Sequence, residues 1–277
     1  MPEATDDLEL FTAVPARALV VVAHPDDGDF LAASVLAAWV RQGARATVCL
    51  LTDGDAGSDD ATIPAGELAR VRLAEQRAAA AHLGVDDVLC LGFPDGVLEN
   101  TLEVRRQLVR VLRQVRPDLV VTMDPTRHWF DRGYLNHPDH RAAGAATLDA
   151  VFPSARDGRA FPELLRDEHL EPHRVRYVLL GATDRDDVAV PVQAGDLEAK
   201  LRALGEHRSQ FDARDMGDWV WKRAREAGAR CGVELAEPYR LFDLVPGPSQ
   251  RADPEPEEMR IIAGEAPPPP EPASDWG

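Results

Sequence analysis

The sequence predicts an α/β fold, a mostly parallel sheet flanked by helices, in one domain. Three observations predict it. Short apolar runs alternate with longer alanine- and leucine-rich stretches through residues 18–150. Each apolar run stops at a cluster of Asp, Gly, Pro or His. Two of the helical stretches close on a glycine, Gly43 and Gly84. Strands alternating with helices imply right-handed crossovers and therefore a parallel sheet.

The run Ala18-Leu19-Val20-Val21-Val22-Ala23 is apolar at every position, as a strand buried on both faces must be. It ends at His24-Pro25-Asp26-Asp27, and residues 30–42 then carry helical composition. A second strand over 46–51 ends at the turn Thr52-Asp53-Gly54-Asp55. A helix is expected over 67–83, with Gly84 at the position where a left-handed cap belongs. Residues 88–91 read as a third strand, closing at Gly92-Phe93-Pro94-Asp95-Gly96, and 102–115 as a helix. A fourth strand over 118–122 ends at Asp124-Pro125. Beyond it come a small-residue helix at 141–150, strands at 177–180 and 188–190, and a helix at 197–208. The domain is expected to span 18–245. Residues 1–17 read as a loose lead-in, and 246–277 as a Pro- and Glu-rich tail with too little to bury to fold.

Composition excludes several functions. With 48 acidic against 31 basic residues the net charge is −17. No basic stripe offsets it, so neither nucleic acid nor an anionic membrane is an expected partner. No apolar run approaches membrane-spanning length, and no leader-like segment opens the chain. The three cysteines, Cys49, Cys90 and Cys231, are isolated, which suits a reducing compartment. The expected location is the cytoplasm, and a homo-oligomer is left open.

The polar clusters at 24–29, 52–55, 94–96 and 124–140 all follow predicted strands, at the edge where open parallel sheets bind ligands. Two of them are rich in histidine and aspartate around a stiffening proline, His24-Pro25-Asp26-Asp27 and Asn136-His137-Pro138-Asp139-His140. One His-Pro-Asp alone is an ordinary surface turn, and Asp139 could simply serve a helix dipole. Two such clusters on the same sheet edge point instead to a metal. A hydrolytic zinc site needs about three nitrogen or oxygen ligands with a position left open, plus a carboxylate base and an acid for the leaving group. The two segments together supply those groups. The first strand-to-helix turn has carboxylates where a dinucleotide site has glycines, so pyrophosphate binding is not expected.

These segments resemble the hallmarks of the PIG-L or LmbE-type N-acetylglucosaminyl deacetylases. Further similarity lies in the Thr52-Asp53-Gly54 turn, the helix from Arg72 to Gly84, Phe93-Pro94-Asp95-Gly96, His207-Arg208-Ser209-Gln210 after Lys200, and Glu237-Pro238-Tyr239-Arg240. The resemblance covers about residues 18–242. It implies a Rossmann-like fold and a hydrolase that removes an acyl, typically acetyl, group from the amide nitrogen of an amino sugar. It also implies one divalent ion, usually Zn2+, held by His24, Asp27 and His140. By the same pattern Asp26 is the general base. His137 stabilises the oxyanion or protonates the amine, and Asp139 keeps His137 charged and oriented. Many relatives carry Glu directly after this first motif, whereas this chain has Gly28 and then Asp29, so Asp29 is a candidate substitute.

Weaker candidates for substrate contact are Arg72, Asp95, Asp29, His128, Trp129, Tyr134 and His207. Arg72 could equally pair with Glu75 on a helix surface, and Trp129 could be simple packing. Asp53 reads as a turn cap; His82 and His169 read as structural or exposed. The expected partner is a small amino sugar or glycoconjugate. The alternatives are an amidase of a glucosamine-containing thiol conjugate and a non-catalytic metal or sugar binder on the same sheet.

Overall fold

In the computed structural model, residues 7–60, 62–130, 133–211 and 216–244 are described. The predicted tail at 246–277 lies outside them. The sheet has eight strands in the order β1-β9-β10-β8-β5-β2-β3-β4. Its centre is β2 (Arg17–Val22), parallel to β3 (Arg45–Thr52) on one side and to β5 (Leu119–Met123) on the other. Side chains alternate across a strand, and β2 shows this in the core. Val20 and Val22 join the apolar layer under α1 (Asp27–Arg41), α2 (Ala65–Leu83) and α6 (Ala194–Leu204). Leu19 and Val21 join the opposite layer under α3 (Leu102–Val115) and α4 (Pro138–Val151). Both faces are therefore dry, which is why the run is apolar throughout.

The chain leaves β2 outward through β3 and β4 (Asp87–Phe93), then returns to lay β5 on β2's other flank. That reversal opens a crevice beyond the carboxyl ends of β2 and β5. The first motif follows β2 and the second follows β5, so topology brings together segments more than a hundred residues apart.

Six elements depart from the sequence reading. The lead-in contains β1 (Glu9–Leu10), paired in parallel with β9 (Val188–Pro191), and its neighbours Leu8 and Phe11 are buried. A short antiparallel hairpin, β6 (Trp129–Phe130) with β7 (Tyr134–Leu135), follows β5. Helix α7 (Gly217–Cys231) was not anticipated. Strand β10 (Ala236–Asp243) inserts antiparallel between β9 and β8 (Tyr177–Gly181), so the sheet is mostly but not wholly parallel. A five-residue helix, α5 (Pro162–Arg166), completes the set. Among the described residues no helix is long and apolar enough to cross a membrane.

Helix α4 crosses β5 closely at Gly144, where an added Cβ would stand 2.2 Å from the Met123 carbonyl oxygen. Backbone on that side cannot yield without moving the element that carries the second motif. Gly144→Ala is therefore expected to cost about 1–3 kcal/mol, read as a lowered Tm in thermal unfolding. An unchanged melt would contradict this packing.

Candidate active site

Asp26 sits between β2 and α1 with φ of 95°, a conformation unfavourable for any residue with a Cβ. The surrounding structure holds it there. Gln76 of α2 accepts from the Asp26 amide at 2.9 Å and donates to Asp29 at 2.8 Å. His207 donates to the same Asp29 oxygen at 2.8 Å. Arg72 donates to the carbonyls of Pro25 at 2.7 Å and Gly54 at 3.0 Å, with the Asp26 carboxylate 3.3 Å away. Arg72 is thus buried rather than paired with Glu75, which instead receives Ser209 through its amide and hydroxyl.

The second motif opens α4. Pro138 occupies the first turn, where its missing N–H costs nothing. His137 is the N-cap, its Nδ1 accepting from the Asp139 amide at 3.2 Å. With Nδ1 an acceptor, the proton of neutral His137 resides on Nε2, the outer atom of a ring that lines the cavity. Asn136 pairs with His140 Nδ1 at 3.0 Å, which leaves Nε2 of that ring turned to Asp27.

The two motifs meet at the Asp27 carboxylate. One oxygen lies 3.2 Å from His24 Nδ1 and the other 3.1 Å from His140 Nε2. The first of these oxygens also accepts the His24 amide at 2.8 Å. Nitrogen and oxygen ligands at about 2.0–2.2 Å from a tetrahedral zinc stand roughly 3.3–3.5 Å from one another, and each imidazole–carboxylate pair is close to that spacing. His137 joins the cluster; its ring nitrogen and those of His24 and His140 lie within 4.8 Å of one another. On the far side of His24, Nε2 faces Asp95 at 2.9 Å and Asp139 at 3.4 Å. A carboxylate behind a ligating imidazole fixes its orientation and raises its basicity.

Electrostatics support a cation here. Burial opposes charge on His24, yet its bonds to Asp27 and Asp95 outweigh that and carry its pKa up to about 10. Burial likewise opposes charge on Asp27, and His140 and His24 nevertheless hold it well below the ordinary carboxylate range. In the absence of metal the cluster holds protons that a divalent ion would displace. Asp26 behaves differently. Burial, reinforced by the Asp27 charge and only partly offset by Arg72, His207 and His24, pushes it up to about 7. The His137 pKa is lowered, first by burial and then by the neighbouring His24 charge.

A cavity of about 550 Å³ opens over this cluster. His24, Asp26, Asp27, His137 and His140 line it, and so do Arg72, Asp95 and Tyr134 among the weaker candidates. Asp29 and His207 do not line it. They are 2% and 1% exposed, and their bonds make them supports of the Asp26 loop rather than contacts for substrate. The lining also omits His128 and Trp129, the latter 63% exposed. The Asp139 carboxylate lies 3.8 Å from His137 Nδ1, where its charge favours protonated His137, and it also accepts the amides of Gly96 and Leu98 at 2.8 and 3.2 Å. It is the Asp139 backbone N–H that orients His137. Residues missed in the sequence are Gln76, Phe30, Trp219, Arg223 and the cavity-lining role of Glu237. Only Glu237 carried a signal, through the Glu237-Pro238-Tyr239-Arg240 segment.

The fold and the cluster together define the class: an α/β protein with a His/Asp centre at the switch point of a parallel sheet. The chain belongs to the PIG-L family. The family model described as "PIG-L: GlcNAc-PI de-N-acetylase" matches residues 19–151. Diacetylchitobiose deacetylase of Thermococcus kodakarensis is 34% identical over 195 residues, 70% of each chain. A 1D-myo-inositol 2-acetamido-2-deoxy-alpha-D-glucopyranoside deacetylase of a Mycobacterium species is 30% identical over 283 residues, covering 87% of this chain and 88% of that one. Among solved structures, N,N'-diacetylchitobiose deacetylase from Pyrococcus horikoshii superposes with a TM-score of 0.73 at 27% identity, over 85% of this chain and 88% of that one. The family resemblance read from the motifs is thus upheld.

Removing the Asp29 carboxylate strands buried donors of Gln76 and His207. Asp29→Ala is expected to lose about 1–3 kcal/mol for each donor left unsatisfied, measured by urea unfolding, and Asp29→Asn to lose less. Wild-type stability for Asp29→Ala would refute the supporting role.

Proposed function

We propose that the protein is a divalent-metal-dependent amide hydrolase that removes an acetyl group from the nitrogen of an amino sugar of the N-acetylglucosamine class. One observation carries the reading. Asp27 lies between His24 and His140 at ligand spacing, while its neighbour Asp26 has a pKa of about 7 and faces the same cavity. Two adjacent carboxylates in environments that push their affinities for protons apart suit separate duties, one for metal and one for protons. The deacetylase names of the relatives favour acetyl removal over the conjugate-amidase and binding-only alternatives. The three cysteines are free, which supports the cytoplasmic location expected from the sequence.

His24, Asp27 and His140 would hold the ion, with zinc the expected metal. When bound, it supplies Lewis-acid polarisation and lowers the pKa of water to about 7. The chain's own groups do the rest. Asp26 accepts a proton from the attacking water, for which a pKa near the working pH is well matched. The Nε2–H of His137 is available to the carbonyl oxygen as negative charge develops there. The C–N bond then breaks, the proton reaches the departing nitrogen, and the products are a carboxylate and a free amine. Asp95 and Asp139 keep His24 oriented, and Arg72 holds the Asp26 loop in register.

Two substitutions separate these duties. Asp26→Asn is expected to lower kcat by about 10²–10⁴ on N-acetylglucosamine-type substrates while metal content stays near that of the wild type. Asp27→Ala is expected to lose the metal itself, and a chelator should abolish activity reversibly. Amine release by fluorescence and metal by elemental analysis read both. Turnover in Asp26→Asn close to wild type would remove Asp26 as the base.

A further inference from the structure

The cavity extends past the metal cluster to α7, and the groups there point to the substrate's other end. Phe30 stands three residues after Asp27. Its ring centroid lies 6.4 Å from that of Trp219, edge to face, and Trp219 in turn lies 5.7 Å from the Arg223 guanidinium carbon. Phe30, Trp219 and Arg223 all line the cavity. An aromatic path thus runs from the reacting end to a cation, and aromatic faces suit sugar rings.

The cavity's other charges are already matched. Both Arg72 Nη groups are engaged by the Pro25 and Gly54 carbonyls and Asp26. One Glu237 oxygen receives Lys200 at 2.7 Å and Ser34 at 2.6 Å, so its charge is met from within the wall. Arg223 is different. Among the described residues no carboxylate pairs with it, and Glu226, one turn further on, faces Lys222 at 3.8 Å. In a chain of net charge −17, this guanidinium lines the cavity without a carboxylate paired to it among the described residues.

We propose that Arg223, seated on Trp219, is a docking site for an anionic group, a carboxylate or a phosphate, that the substrate carries beyond its amino sugar. A planar guanidinium binds either oxyanion through two parallel N–H donors, and its place on a helix fixes its distance from the metal cluster. The substrate class is then an acidic glycoside of N-acetylglucosamine rather than a neutral one. This assignment rests on the deacetylase reading of the same site.

The test uses the full-length, metal-loaded protein with three glycosides of N-acetylglucosamine: one with a carboxylate in the aglycone, one with a phosphate ester, and a neutral methyl glycoside. The wild type should favour one or both acidic substrates by about tenfold in kcat/KM, equivalent to about 1.4 kcal/mol. That preference should shrink as salt is raised. In Arg223→Gln the acidic-to-neutral ratio should fall about tenfold, and Arg223→Lys should restore part of it. Which acid is favoured tells carboxylate from phosphate. No preference in the wild type, or a ratio unchanged by Arg223→Gln, overturns the proposal. Calorimetric affinities for the same three glycosides keep the two readings apart. If none is hydrolysed, an Arg223-dependent affinity for the acidic ones upholds the docking site and sinks the deacetylase reading, and an Arg223-independent affinity sinks the docking site.

Discussion

The Asp27 carboxylate ties the molecule's two halves together. It accepts the His24 amide, faces the His24 ring with one oxygen and reaches His140 with the other. His24 follows the central strand, whereas His140 rides on a helix entered only after five further strands have been laid down. A carboxylate can serve both because β2 and β5 are neighbours whose connections leave in opposite directions, opening the sheet edge at that point. Buried charge of this kind is costly unless matched. The matching here is by imidazoles on both sides, in the pattern that a cation would complete.

The strained Asp26 backbone follows from the same constraint. Two successive aspartates leave one tight turn in different directions only if the first adopts an unusual φ, and the 95° at Asp26 does this. The cost of such a conformation, about 1–3 kcal/mol, is offset by the buried hydrogen bond that Gln76 accepts from the Asp26 amide and those that Arg72 donates to this turn. Asp29 in turn braces Gln76, and His207, on the turn after α6, braces Asp29. Helix positions and site geometry are therefore one network. Of its polar members Asp26 and Arg72 line the cavity, whereas Asp29 and His207 lie behind it and hold the strained turn.

Much of this was legible in the sequence, and the illegible remainder has a common cause. The parallel strands were readable because burial on both faces writes an uninterrupted apolar run such as Leu19 to Val22. The two motifs were readable because histidine, aspartate and proline at strand ends have few other reasons to cluster. Strand β10 was not, since Ala236–Asp243 carries Glu237, Pro238 and Arg240 and shows no alternation. It is a strand because β8 and β9 offer it partners on both sides. Helix α7 has its buried positions spread among six charged residues, and its role in the cavity depends on tertiary placement. Asp29 read as a site residue from its neighbourhood alone. Its actual partners, Gln76 and His207, are 47 and 178 residues away, and no local pattern encodes them. Asp139 shows the same limit, because its carboxylate is claimed by the Gly96 and Leu98 amides of a distant loop.

The central claim is that the two motifs form one metal centre built on Asp27. His24 belongs to two overlapping clusters, one with His137 and His140 and one with Asp95 and Asp139, and anomalous diffraction from zinc-equilibrated crystals distinguishes them. A single ion is expected within about 2.0–2.2 Å of His24, Asp27 and His140. An ion held by His24, Asp95 and Asp139, or no ion at saturating zinc, would contradict it.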